Sequence, residues 1–280
     1  MGARALAAAI AFGLALPADV AVDVRARAIQ PGELVVLTIT LPEARDAVRV
    51  RAFDRDQVVF RVDDRVWRAL VGVDLDVAPG RHDVAIHAQG MDAVEVLQVR
   101  RKSFPTRTLT VDEAFVNPPE AMRARIDADA HALAAVWAAP APQRLWTEPF
   151  VRPVPQPTNS SFGTRSIYNG TPRGAHGGAD FLSPSGTPIH APNAGRVAIA
   201  RDLYFTGNTV VIDHGLGLFS LLAHLSAIDV REGEMITAGE VVGRVGATGR
   251  VTGPHLHWAV RAGGARVDPL ALLALLGPGH

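Results

Sequence analysis

The first third of the chain alternates apolar with polar residues over short, valine-rich segments. A period of two residues is typical of β-strands that bury one face. Pairs that contain glycine or proline separate several of these segments, and such pairs mark turns. The pattern predicts strands at 33–41, 47–53, 57–62, 69–77, 82–88 and 93–99. Short strands at this spacing predict an immunoglobulin-like β-sandwich over residues 19–101.

The pattern changes over residues 102–150, which are predicted to form a short helical connector. Pro118 and Pro119 stand before an alanine-rich stretch. Proline suits the first turn of a helix, and alanine has a strong helix propensity. We therefore expect a helix from Ala121 to about Ala138, followed by an extended, proline-containing segment.

Strand-like segments return after residue 150, now between glycine-rich turns. The predicted strands are 187–190, 195–200, 209–213, 218–225, 241–246 and 255–260. This alternation of strand-like segments and glycine-rich turns predicts a second, antiparallel β domain over residues 151–276. The whole chain is therefore predicted to be mainly β, with a helical connector between two β domains.

The first 18 residues have the pattern of a secretory signal peptide. Arg4 supplies a positive charge before an apolar run from Ala5 to Leu16, and small residues follow that run. The run is too short for a stable membrane span, and no later segment is long and apolar enough for one. We expect export to the periplasm or cell envelope, or secretion.

Composition narrows the chemistry that the chain can carry out. Its 28 Lys and Arg residues balance its 28 Asp and Glu residues. The basic residues are scattered, so no nucleic-acid partner is expected. The chain has no cysteine, which excludes disulfides and thiolate ligands. Any metal site must be built from histidines and carboxylates.

Two short motifs in the last domain offer such ligands. His176 and Asp180 flank a pair of glycines that would let the backbone turn tightly, so that both side chains could converge. His255 and His257 are two residues apart on a predicted strand, so they share a face, while Leu256 points to the core. Two histidines and one carboxylate are a normal ligand set for a catalytic zinc ion, with water in the fourth position.

Peptide hydrolysis also needs groups that take a proton from water and give one to the leaving amine. The chain has no His-Glu-x-x-His motif to supply a glutamate base, which leaves His224 and His255 as the spare histidines. Tyr168 could donate a hydrogen bond to an oxyanion or could cap the core. His190 and His214 are interpreted as structural residues.

The motifs together resemble the lysostaphin/LytM-type family of zinc endopeptidases, which is related to the β-lytic metallopeptidases. The chain has HGGAD at 176–180, AHLS at 223–226 and GPHLHW at 253–258. Glycine-rich stretches between these motifs are also similar to the family. The resemblance covers roughly residues 160–270.

The resemblance implies that a single zinc ion is held by His176, Asp180 and His257. It also implies that His255 and His224 are the catalytic pair that positions water and stabilises the developing oxyanion. The implied substrate is the peptide part of bacterial peptidoglycan, either its cross-links or its bridges. Because ligand imidazoles must be neutral, we expect activity to fall in acid as His176 and His257 become protonated.

One residue departs from the family pattern. The position two before His224 is often aromatic in the family and is Leu222 here. Residues two apart on a strand share a face, so the change is expected to alter the shape of the groove wall.

Two other classes of function remain open. A non-haem iron oxygenase also uses two histidines and one carboxylate, but its carboxylate usually follows the first histidine by about two residues. The second alternative is a non-catalytic or autoinhibited cell-wall-binding regulator of another hydrolase. The complete ligand set favours an enzyme, and the N-terminal β domain is a candidate site for a protein partner.

Overall fold

The computed structural model describes residues 20–110, 113–147, 149–159 and 161–278. The predicted signal peptide at residues 1–18 lies outside the described residues. Strands dominate the described part of the chain, so the prediction of a mainly β protein is confirmed. None of the described helices combines the length and apolar character that a membrane crossing requires.

The N-terminal region forms two four-stranded sheets around one core. Its strands are β1 (Ala21–Ala26), β2 (Leu34–Thr40), β3 (Arg49–Ala52), β4 (Arg55–Asp56), β5 (Val58–Arg61), β6 (Val66–Gly72), β7 (Gly80–Ala88) and β8 (Met91–Val99). The sheets have the orders β1-β2-β6-β5 and β4-β3-β7-β8. Val35 and Leu37 of one sheet are buried in the same core as Val84 and Ile86 of the other. The immunoglobulin-like classification stays a prediction.

Strand β2 buries both of its faces, which its continuous apolar sequence already suggests. Leu34 and Val36 point away from the N-terminal core and join a second core that contains Val260 of the C-terminal region. Beside this contact, the Nη2 atom of Arg266 lies 2.5 Å from the Oδ1 atom of the buried Asp74. The N-terminal sheets and the C-terminal region therefore share one apolar core and a partly buried ion pair.

The connector packs against the C-terminal region rather than spanning open solvent. Its elements are β9 (Thr106–Leu109), α1 (Glu113–Val116), a 3-10 turn (Glu120–Met122) and α2 (Arg123–Ala138). Strand β9 pairs in parallel with β10 (Arg165–Tyr168). Helix α2 places Trp137 edge-on against Phe219, with ring centroids 5.0 Å apart. The predicted helix is present, and its first turn is a 3-10 turn.

The C-terminal region is built on a nine-stranded sheet in the described part of the chain. Its further elements are β11 (Thr171–Pro172), β12 (Gly178–Phe181), β13 (Pro188–His190), β14 (Gly195–Leu203), β15 (Gly207–Gly215), β16 (Leu218–Ile228), β17 (Met235–Ile236), β18 (Val241–Val245), β19 (Leu256–Ala262), β20 (Ala265–Val267) and α3 (Pro269–Leu276). The main path runs β12-β19-β16-β15-β14-β17. Neighbouring strands on this path are antiparallel, as predicted.

Candidate metal centre

Strand register brings two of the predicted ligands together. Asp180 on β12 is directly opposite His257 on β19. Directly opposed residues of an antiparallel pair project from the same face of the sheet. The Oδ1 atom of Asp180 and the Nδ1 atom of His257 lie 3.0 Å apart. The Nε2 atom of His176, which precedes β12, lies 3.0 Å from each of those two atoms.

The three donor atoms fit a zinc ion. Two imidazole nitrogens and one carboxylate oxygen form a three-ligand set of the kind that leaves a fourth position open in catalytic zinc sites. With bonds of about 2.0–2.2 Å, tetrahedral ligand atoms lie about 3.3–3.6 Å apart, so the three donor atoms would have to separate by only a few tenths of an ångström to hold the ion. The side chains of His176, Asp180 and His257 are 15–19% exposed, so the cluster is accessible to a ligand.

Burial and mutual contact set the charge state of this cluster. Burial acts to raise the pKa of Asp180, but hydrogen bonds from His176 and His257 outweigh it and hold the pKa well below its ordinary value. Burial lowers the pKa of His257, although the hydrogen bond to Asp180 opposes that shift. An ionised carboxylate beside a neutral imidazole is the form in which both groups bind a metal.

Ser161 supports two of the candidate ligands and was not identified from the sequence. Its Oγ atom lies 3.1 Å from Nδ1 of His176 and donates to Oδ2 of Asp180 at 3.2 Å. With a metal bound at Nε2 of His176, the proton of this ring would be on Nδ1, and a hydroxyl in this position would accept it. The spacing of 15 residues between Ser161 and His176 is no sequence signal, because only the fold brings the two together.

The two glycines between His176 and Asp180 have a different role from the expected one. Neither Gly177 nor Gly178 is among the residues with positive φ, so a tight left-handed turn does not explain them. A Cβ atom on Gly178 would lie 2.7 Å from Cε1 of His257, whereas one on Gly177 would meet only a side-chain carbon of Arg266 at 3.9 Å. Gly178 therefore makes room for the His257 ring.

A β-bulge carries His224 into the site. Ala223 and His224 of β16 both stand opposite Thr209, because the register with β15 shifts at this point. His224 has a φ of 69°, a left-handed conformation that is strained for a residue with a side chain. The expectation that Leu222 shares a face with His224 is therefore wrong: Leu222 is fully buried in the core.

His224 and His255 face each other beside the three candidate ligands. Their ring centroids are 4.9 Å apart. The Nδ1 atom of His224 lies 3.0 Å from the carbonyl oxygen of Thr248, and Nδ1 of His255 lies 2.9 Å from that of Gly253. A carbonyl can only accept, so each Nδ1 carries the proton and each Nε2 keeps its lone pair.

The protonation of His224 follows from its surroundings. Burial lowers the pKa of His224 to about 3, and the nearby His257 and His255 act in the same direction. His224 is thus a neutral imidazole near pH 7. As predicted, His255, which immediately precedes β19, and His257 both face the groove, while Leu256 between them is fully buried.

The five histidine and aspartate residues line a groove with a cavity volume of about 380 Å³. Tyr168 lies on its wall, together with Arg107 of the connector strand β9. Two other histidines lie elsewhere, in agreement with a structural role. His214 is fully buried and bonded to the carbonyl of Ala194, and His190 lies beside the carbonyl of Gly239.

The fold and the site define a β-sheet protein with a candidate single-metal centre of two histidines and one aspartate. Residues 174–269 match the model of Peptidase family M23. A crystal structure from Pseudomonas aeruginosa that is assigned to peptidase M23 is 33% identical, covers 88% of this chain and 95% of its own, and superposes with a TM-score of 0.70. The chain therefore belongs to peptidase family M23.

Two curated relatives match part of this chain. Peptidoglycan DD-endopeptidase ShyA of Vibrio cholerae is 40% identical over 113 residues, which are 40% of this chain and 26% of ShyA. DD-carboxypeptidase/endopeptidase Mpg of Neisseria meningitidis is 43% identical over 97 residues, which are 35% of this chain and 22% of Mpg. The chain thus spans about a quarter of the length of these relatives.

Proposed function

We propose that the protein is a zinc-dependent metalloendopeptidase that hydrolyses peptide cross-links or bridges of bacterial peptidoglycan. The observation that carries this proposal is the convergence of three ligand atoms, 3.0 Å from one another, beside two further histidines. The relatives named peptidoglycan DD-endopeptidase and DD-carboxypeptidase/endopeptidase support the substrate class. The proposed ligands are His176, Asp180 and His257.

In this proposal the two remaining histidines handle protons. A bound zinc ion would supply Lewis acidity, which acidifies water and polarises a carbonyl oxygen. His255 and His224 each present a lone pair at Nε2, so either ring can accept the proton of the attacking water. The resulting imidazolium can then give that proton to the leaving amine or donate a hydrogen bond to the oxyanion. Tyr168 on the groove wall is a further candidate donor.

Export, domain division and partners belong to the same proposal. A substrate in the cell wall requires the protein to leave the cytoplasm, which fits the signal pattern at residues 1–18. We keep a division into a β-sandwich at 19–101, a connector at 102–150 and a peptidase domain at 151–276. The N-terminal β domain stays the candidate site for a protein partner.

The test is digestion of purified peptidoglycan, followed by mass analysis of the released fragments. The zinc-loaded protein is expected to release cleaved cross-links or bridges, a chelator to stop the release, and added zinc to restore it. The variant His257→Ala serves as the inactive control. If the zinc-loaded protein releases nothing beyond this control, the enzyme proposal is wrong, and the non-catalytic alternative takes its place.

A further inference from the structure

The groove that holds the candidate metal centre has an unequal charge distribution. Among the described residues that line it, Asp180 is the one carboxylate, and it is a proposed metal ligand. Two guanidinium groups, those of Arg107 and Arg250, line the same groove. A bound zinc ion would add further positive charge. The groove is therefore suited to an anionic ligand.

Arg250 is held in place on the loop that also orients the catalytic pair. Its backbone N–H donates to the carbonyl of Phe205 at 2.9 Å, and its guanidinium carbon lies 4.4 Å from the centre of the Phe205 ring. Two residues earlier, the carbonyl of Thr248 accepts the Nδ1 proton of His224. Partial burial lowers the pKa of Arg250, which remains a cation at any physiological pH.

Arg107 approaches the groove from the connector. Strand β9 places it opposite Ser166 of β10, and its Nε atom donates to the Oγ atom of Ser166 at 3.0 Å. Tyr168, two residues further along β10, also lines the groove. The connector therefore contributes a positively charged residue to a groove whose catalytic residues all belong to the C-terminal region.

We propose that Arg250, assisted by Arg107, forms an anion subsite that binds a free carboxylate of the peptide substrate beside the scissile bond. The proposal rests on the proposed endopeptidase function and names a substrate class for it, namely peptides with a free carboxylate. Guanidinium groups bind carboxylates through two parallel hydrogen bonds, which provide specificity as well as affinity. A half-buried guanidinium does so more strongly than one in open solvent.

The experiment uses soluble cross-linked peptides from digested peptidoglycan, either untreated or with their carboxyl groups converted to amides. For the zinc-loaded wild-type protein, amidation is expected to lower kcat/KM by about tenfold, mainly through KM, since a hydrogen bond to a charged group is lost. Arg250→Gln is expected to lower kcat/KM on the untreated peptides by about tenfold. This variant should cleave the untreated and the amidated peptides with the same kcat/KM. Arg250→Lys keeps a charge without the planar fork and should recover part of the preference.

The matched control is Arg231→Gln, because Arg231 is exposed and lies outside the groove. This variant should behave as the wild type does. If Arg250→Gln cleaves the untreated peptides as well as the wild type, or if amidation does not affect the wild type, the anion subsite is refuted. The endopeptidase proposal would survive either result, because cleavage itself would have been observed.

If no cleavage is observed, a binding measurement still tests the anion subsite separately from the endopeptidase proposal. Fluorescence anisotropy with labelled peptides on zinc-loaded His255→Ala reports affinity without turnover. A preference of about tenfold for untreated over amidated peptides, lost when Arg250→Gln is added, supports the subsite even if no variant cleaves anything. Equal affinity for both peptides would overturn it.

Discussion

The two sides of the groove are built in different ways. The proposed metal side, His176, Asp180 and His257, is held together by contacts among its own side chains, each pair of donor atoms being 3.0 Å apart. The proposed proton side, His224 and His255, is instead held by backbone carbonyls, at 3.0 Å and 2.9 Å. Strand register places Asp180 opposite His257 on the first side, whereas a bulge and a loop position the rings of the second.

This difference means that each side can be altered without the other. A metal ion bound to the first side would replace contacts that the ligands otherwise make with one another. The rings of the second side have their Nδ1 protons bound by carbonyls, so their orientation does not depend on the ion. Substitutions should therefore separate loss of zinc from loss of proton transfer.

The largest effect is expected for Asp180→Asn. The change removes the negative charge of the ligand set with almost no change in volume. We expect the bound zinc to fall from one ion per chain to near zero, and peptide hydrolysis to become undetectable. Asp202→Asn, which changes an exposed carboxylate away from the groove, is the control. Retention of one zinc ion by Asp180→Asn, measured by elemental analysis, would rule out the ligand assignment.

His224→Ala should leave the metal side intact. We expect the variant to keep its zinc ion while kcat falls by about 10²–10⁴-fold, the usual contribution of a general acid or base. The readouts are zinc content and turnover of soluble cross-linked peptides. A variant that loses zinc in parallel with activity would show that the two sides are not independent.

Ser161→Ala should weaken the metal side without abolishing it. The hydroxyl contacts Nδ1 of His176 and Oδ2 of Asp180. Loss of such a supporting contact typically lowers metal affinity or activity by about 10–100-fold. Competition with a chromogenic chelator measures the affinity, and Ser161→Thr, which keeps a hydroxyl, is the matched rescue. Unchanged zinc affinity in Ser161→Ala would refute the supporting role.

The adjacent glycines provide a sharper test of how the metal side is packed. Gly178→Ala forces its new Cβ atom against the His257 ring and the backbone carbonyl of Trp258, so overpacking should cost about 1–3 kcal/mol of unfolding free energy and weaken zinc binding. Gly177→Ala meets no close neighbour and should be almost neutral. Chemical denaturation of both metal-free variants checks this. Equal effects at the two positions would contradict the steric explanation.

One part of the candidate site follows from a local sequence signal. Alternation along one strand places His255 and His257 together, and Leu256 between them is buried as expected. The pairing of Asp180 with His257 was not predictable in this way, because the short strand Gly178–Phe181 begins with a glycine and has too few residues for a visible period. Resemblance to a family supplied that connection.

The proton side shows where local reasoning fails. Simple alternation places His224 and Leu222 on one face, and the bulge opposite Thr209 breaks that alternation. Nothing in the local sequence marks this bulge, because no glycine stands at its left-handed residue, His224. Helix α3 (Pro269–Leu276) was also not predicted from the sequence. Its residues are apolar on all sides and show no helical period.

Acid should affect the metal side before it affects His224. Burial lowers the pKa of His224 to about 3, so this ring stays neutral, and able to accept a proton, as the pH falls from 7 to 5. Burial also lowers the pKa of His257, so its protonation requires a lower pH. Protons and zinc still compete for this ring. We therefore expect the apparent zinc affinity to weaken by about tenfold between pH 7 and pH 5, and the activity to fall with zinc occupancy.

Activity could fall in acid because protons displace zinc from its ligands or because another group becomes protonated. Adding excess zinc distinguishes these two explanations. If protons compete for the ligands, activity at pH 5 should recover as zinc is added, and the midpoint of the pH profile should move to lower pH at higher zinc concentration. A midpoint that does not move, with one zinc ion still bound at pH 5, would instead contradict competition at the ligands. Because His224 is already neutral far below pH 5, its protonation would not account for that result either.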